Sequence, residues 1–222
     1  MKSNFVNLQF AFFIESHLIT KKSEFVTELK KSFDGNELIL NVSDIPDEFP
    51  YITLSKENEH EIRIAKNRID LFVFDLSKSM NKIISLLNII KNINYIVIQN
   101  VGFVLRYELI TDKAKNNILK KIFQNDQKLI SFDSTSEILV RNIIKHDLNI
   151  NSTNVYVNLI NMIISNSGNS GKIGFEFDIN SKPNEQNFEW NNEDNISSFI
   201  KECEKEKDKY LDKIIELDVS CS

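Results

Sequence analysis

Lys172-Ile173-Gly174-Phe175-Glu176-Phe177-Asp178-Ile179 is the stretch that decides the fold class. Ile173, Phe175, Phe177 and Ile179 alternate with Lys172, Glu176 and Asp178, the period-two pattern of a half-buried strand. Ser165 to Gly171, just before it, gathers Gly, Ser and Asn and reads as a hairpin loop. Asn154 to Ile164 reads as the strand on the other side of that loop. Two such strands joined so closely pair antiparallel.

The same alternation recurs upstream. Phe103, Leu105, Tyr107 and Leu109 alternate with Val104, Arg106 and Glu108 in a strand-like stretch from Tyr95 to Leu109. Gly102 within it marks a bulge, a bend or a close backbone approach. Ile69, Leu71 and Val73 share one face of a strand, with Asp70, Phe72 and Phe74 on the other. Ile62 and Ile64, with Arg63 between them, begin the meander that contains it. Tyr51 to Leu54 is a short strand. Ile45 to Pro50 is loop or edge, because each Pro removes a backbone donor. Residues 4 to 15 are apolar enough at Phe10 to Ile14 for a central strand.

Helices fall between these strands. Phe25, Leu29 and Phe33 recur at four-residue spacing after a cap at Thr20 or Ser23. Ile83, Ile84, Leu87 and Ile90 make the buried face of a helix that starts at Ser77 or Ser79. Ala114, Ile118 and Ile122 form a further stripe. Ser134 with Glu137 is a capping box, so residues 131–149 are read as a helix, although Ile138, Val140, Asn142 and Ile144 also fit a strand period. The last helix runs from about Glu193 to Leu217, with Ile196, Phe199, Ile200 and Cys203 on its buried side. The fold class expected is therefore α+β: antiparallel hairpins and meanders packed by amphipathic helices, ending in a long C-terminal helix. The halves echo each other loosely. The chain is read as one unit over 1–222, with sub-domains 1–110 and 111–222 as the alternative.

Val101-Gly102-Phe103-Val104-Leu105-Arg106-Tyr107 and Phe175-Glu176-Phe177-Asp178-Ile179-Asn180, with Ile45 to Leu54 and Arg68-Ile69-Asp70, resemble a sporadically distributed bacterial family of uncharacterised proteins. The resemblance covers most of the chain and implies a similar length and a helix after the Asp-Ile-Asn strand. It implies no reaction and no catalytic residue.

Composition narrows the function classes. Hydrophobic residues at 41% and charged residues at 27% are those of a globular chain, which excludes wholesale disorder. A net charge of -5 excludes a basic nucleic-acid coat. Only two cysteines occur, Cys203 and Cys221, so no disulfide framework is expected and a reducing cytoplasm fits. The start has no clean apolar core, and Ile83 to Ile90, the longest apolar run, is broken by Ser85 and Asn88. Neither a signal peptide nor a membrane helix is expected.

Motifs for catalysis are missing from the sequence. His17, His60 and His146 stand far apart, without metal-ligand spacing. No Walker loop, dinucleotide fingerprint or nucleophile elbow occurs, so no cofactor and no metal are expected. The enzymatic alternative is a divalent-metal nuclease in which Asp70, Glu176 and Asp178 converge, assisted by Lys172. Lys113, Lys115, Lys120, Lys121 and Lys128 offer a weak nucleic-acid surface, disfavoured because aromatic residues are not interleaved and arginine is scarce. Arg63, Arg68, Arg106 and Glu108 are candidate binding residues on a charged sheet surface, although cross-strand pairing is the simpler explanation of them. Trp190 either anchors the loop before the last helix or serves as an interface residue. The reading favoured is a non-enzymatic protein-binding or assembly module, self-associating through a sheet edge or a helix face.

Overall fold

The computed structural model describes residues 2–15, 22–33, 39–42, 52–92, 96–110, 138–150, 153–166, 172–181 and 188–219. In chain order the elements are β1 (Lys2–Ile14), α1 (Lys22–Ser32), β2 (Ile39–Val42), β3 (Ile52–Lys56), β4 (His60–Ile64) and β5 (Arg68–Val73). A short 3-10 turn (Leu76–Lys78) leads into α2 (Ser79–Asn92). Then follow β6 (Ile98–Ile110), β7 (Ile138–Ile150), β8 (Thr153–Asn166), β9 (Lys172–Ser181) and α3 (Glu193–Val219). The strands form one nine-stranded sheet in the order β2-β3-β4-β5-β1-β6-β9-β8-β7. Neighbours pair antiparallel throughout. The α+β class and the long final helix are as the sequence pattern implies.

The chain builds the sheet by the same route on each side. After β1 it runs to the edge strand β2 and returns through β3, β4 and β5 until β5 lies on β1. After β6 it runs to the other edge, β7, and returns through β8 to β9, which lies on β6. β1 and β6 pair along nearly their whole length at the centre.

The three described helices contribute to one core. Phe25, Leu29 and Phe33 from α1 and its end, Ile83, Leu87 and Ile90 from α2, and Ile196, Phe199 and Cys203 from α3 are buried in it. They join the inward-facing residues of the strands, among them Leu8, Phe10, Phe12, Ile62, Leu71, Phe103, Leu105, Phe175 and Phe177. The other face of the sheet carries no helix among the described residues. Trp190 stands edge-on to Phe199 at 5.3 Å, and Phe199 edge-on to Phe10 at 6.4 Å, so the indole ties the entry of α3 to the central strand. That is the anchoring role considered for it.

One expectation is overturned. Residues from Ile138 onward form β7, not a helix. The capping residues Ser134 and Glu137 lie outside the described residues. The ladder with β8 runs from Ile138 opposite Asn166 to Ile150 opposite Thr153, and the β-branched residues Ile138, Val140, Ile143 and Ile144 suit it. A local start signal cannot outweigh so long a ladder. The Ala114–Ile122 stripe and the Ile45–Pro50 segment also lie outside the described residues.

Gly102 resolves as a close approach. No register shift occurs there, and Gly102 pairs with Ala11 on one side and Asn180 on the other. A Cβ at this position would stand 2.5 Å from Asn180 Oδ1. Asn180 is held in place by donating Nδ2 to Asp178 Oδ1 at 2.8 Å. Gly102→Ala is therefore expected to cost about 1–3 kcal/mol by urea denaturation. In an Asn180→Ala background the same change is expected to become neutral or stabilising, because glycine is itself unfavourable in a strand.

Candidate functional site

A polar ladder crosses the helix-free face at the centre of the sheet. It starts from a bulge. The β1–β6 register shifts between Phe5 and Asn7, so Phe5 meets Tyr107 on the helix side while Asn7 meets Arg106 on the other. Phe5 stands edge-on to Tyr107 at 5.8 Å. Beyond the bulge Asn7 and Gln9 face away from the helices, beside the arginine.

Arg106 uses three donors there. Its Nε donates to Glu176 Oε2 at 2.6 Å, Nη1 to Asn7 Oδ1 at 3.0 Å and Nη2 to Gln9 Oε1 at 3.0 Å. Gln9 passes the chain on, its Nε2 donating to Asp70 Oδ1 at 3.0 Å. Arg68 closes the ladder, with Nε at 2.9 Å and Nη2 at 2.8 Å from the same Asp70 oxygen. Six side chains thus link β9, β6, β1 and β5. Asp70 is 1% exposed and Gln9 8%, although no helix covers them among the described residues. The long arms of Arg68 and Arg106 lie over this part of the sheet. Asp70 Oδ2 is buried without a hydrogen bond among the described residues.

The neighbouring arginines are also engaged. Arg68 lies over the Phe13 ring at 5.0 Å, and Arg63 over the Phe72 ring at 4.4 Å. Arg63 is also paired with Glu61, two residues away on β4. Glu108 occupies the same face one step beyond Arg106, opposite Gly174 and Asn4. Arg63, Arg68, Arg106 and Glu108 therefore share one surface. Trp190 does not. It borders a cleft of about 880 Å³ on the opposite side, together with Lys91, Val97, Phe188 and Glu193.

The three carboxylates of the nuclease alternative are not brought together. Asp70 is on β5, while Glu176 and Asp178 are on β9, with β1 and β6 between them. Three strand spacings put those strands about 14 Å apart. Each carboxylate is also occupied, Asp70 by Gln9 and Arg68, Glu176 by Arg106 and Asp178 by Asn180. Among the described residues no group of three or more His, Cys, Asp and Glu side chains could hold a metal ion. Lys172 pairs in register with Ile110 at the start of β9. The lysines between 111 and 128 lie outside the described residues.

Other titratable groups have local tasks. Asp75 accepts from the Ser77 N–H at 3.1 Å and the Ser77 hydroxyl at 2.7 Å, capping the turn before α2. The Ser77 hydroxyl, above all, holds the Asp75 carboxyl below its ordinary range. With its folded pKa lowered, the cap stabilises above the unfolded pKa and is lost as pH falls through the folded one. His60 is buried beside Phe33, with Lys82 Nζ 3.0 Å from its Nδ1. Burial pushes the Cys203 thiol well up, so it stays protonated at neutral pH.

Asn7 and Gln9 are the members of the ladder that the sequence reading missed. Two amides at alternate positions among the otherwise apolar residues from Phe5 to Ile14 were the available signal, but only the register shows that they meet Arg106. No protein-family model matches this chain, and no curated protein matches it either.

Asp70 holds two donors from a buried position, so Asp70→Ala is expected to lower stability by about 2–4 kcal/mol. Asp212→Ala, on the exposed side of α3, is expected to change it by less than about 0.5 kcal/mol. Urea midpoints at unchanged m-value report both.

Proposed function

We propose that this chain is a cytoplasmic, non-enzymatic protein-binding and assembly module that presents the helix-free face of its sheet to a protein partner. The observation that carries this reading is the ladder itself. The arginines and carboxylates of that face are committed to one another in fixed positions, which suits a preorganised surface better than a reaction centre. Two apolar residues near them in the chain are exposed. Phe74, just past β5, is 40% exposed, and Val6, the extra residue of the bulge, is 39% exposed. Arginine and aromatic side chains next to apolar surface are the composition of protein interfaces. A surface for nucleic acid is less favoured, because each of these arginines already has an acidic neighbour. The resemblance to an uncharacterised bacterial family adds no activity to this reading.

Affinity capture from the native host tests it. The wild-type chain and a Lys201→Glu control on the exposed side of α3 are expected to retain the same stoichiometric protein. A Val6→Asp/Phe74→Asp variant, with its fold checked by circular dichroism, is expected to lose it. Retention by that variant would place the binding surface elsewhere. Mg²⁺-dependent cleavage of nucleic acid, abolished by Asp70→Asn, Glu176→Gln and Asp178→Asn, would overturn the reading.

A further inference from the structure

The cleft that Trp190 borders lies where three elements meet. Lys91 comes from the end of α2, Val97 and Ile98 from the approach to β6 and its first residue, and residues 188–194 from the entry of α3. Its volume of about 880 Å³ is that of a small-molecule site. The aromatic wall is already in place. Trp190 is 2% exposed, stands 4.6 Å from Phe188 and is held edge-on to Phe199, so a ligand has no side chain to order there. Val97, 48% exposed, adds apolar surface.

Charge decides what such a cleft takes. Glu189, Glu193 and Asp194 line it, and Lys91 is the one cationic side chain among the described residues that do. Lys91 stands 4.0 Å from Glu193, which leaves Glu189 and Asp194 without an ion pair. These carboxylates repel an anion, and the entry of α3 offers it no donors. Asn192 Oδ1 accepts from the N–H groups of Asp194 and Asn195, at 2.8 and 3.3 Å, and the Asn192 carbonyl accepts from Ile196 N–H at 3.1 Å. A bare metal ion does not suit it either, because among the described residues no three carboxylates converge on one point. A positive charge carried on an apolar body matches both the wall and the dispersed carboxylates.

We propose that this cleft binds a small organic cation, an ammonium group on an aromatic or alkyl body. The body lies along Val97, Phe188 and Trp190, and Glu189 and Asp194 hold the ammonium. Lys91 competes with the ligand for the same carboxylates. The cleft is on the opposite side of the molecule from the helix-free face, so the proposal goes beyond the protein-binding reading and does not depend on it.

Trp190 is the only tryptophan of the chain, so its fluorescence reports the cleft directly. Phenethylamine is expected to change that fluorescence saturably in the purified full chain, with a Kd below about 1 mM in dilute buffer. Phenylacetate, of the same size and opposite charge, is expected to bind at least about tenfold more weakly. Raising the ionic strength from about 0.02 M to about 0.5 M is expected to weaken phenethylamine binding severalfold, because exposed carboxylates are screened. A Glu189→Gln/Asp194→Asn variant, its fold checked by circular dichroism, is expected to bind about fivefold more weakly, and Lys91→Met about twofold more tightly. No saturable change up to about 10 mM would overturn the proposal, as would phenylacetate binding as tightly as phenethylamine. Wild-type affinity in the folded double variant would overturn it too. The salt dependence tests the same contact on the unaltered chain, so the proposal stays falsifiable if that variant does not fold.

Discussion

Pairing of β1 with β6 is the constraint on which the rest of the structure depends. Each is flanked on its other side by the last strand of its own half, β5 on β1 and β9 on β6, so an error at the centre would spread to both edges. In a sheet, a one-residue slip turns every inward side chain outward. Phe10 opposite Phe103 and Leu8 opposite Leu105 fix the register, because both pairs are fully buried on the helix side. The extra residue at Val6 then allows Phe5 and Asn7, which an unbroken strand would place on one face, to point to opposite faces. Phe5 gains the Tyr107 ring, and Arg106 gains Asn7.

The bulge also explains why a face that no described helix covers can bury an aspartate. Three strands, β1, β5 and β6, bring Gln9, Asp70 and Arg106 close together. Each side chain satisfies one neighbour and is held by another. Gln9 is the hinge of this arrangement, accepting from Arg106 and donating to Asp70. The exposed ends of Arg68 and Arg106 keep part of their hydration, so the ladder avoids the full desolvation cost of a buried ion pair. Its contribution is more to fixed geometry than to net stability, apart from Asp70, whose loss would strand its donors.

Much of the architecture was legible in the sequence, because it is written in local periods. The alternation from Phe175 to Ile179 and from Phe103 to Leu109 and the stripe of Phe25, Leu29 and Phe33 all mark the faces that the structure buries. What could not be read is non-local. Strand order separates Asp70 from Glu176 and Asp178, and no spacing along the chain reveals the two strands between them. The bulge at Val6 hid Asn7 and Gln9 in the same way. The segment from Ile138 failed for the opposite reason. There a local signal, Ser134 with Glu137, was followed although the partner strand β8 decides the outcome.

With the described helices on one side, the sheet has one face and two edges to manage, and it treats each differently. At the centre of the face, long side chains of β1, β5, β6 and β9 satisfy one another. The β7 edge contains charged residues and one register shift, between Ile144 and His146. β2 has neither, yet it is the outermost strand of a meander whose other members, β3 to β5, are packed into the core. Stability alone does not require three exposed apolar residues there, since a lysine at Val42 would point into solvent at little cost.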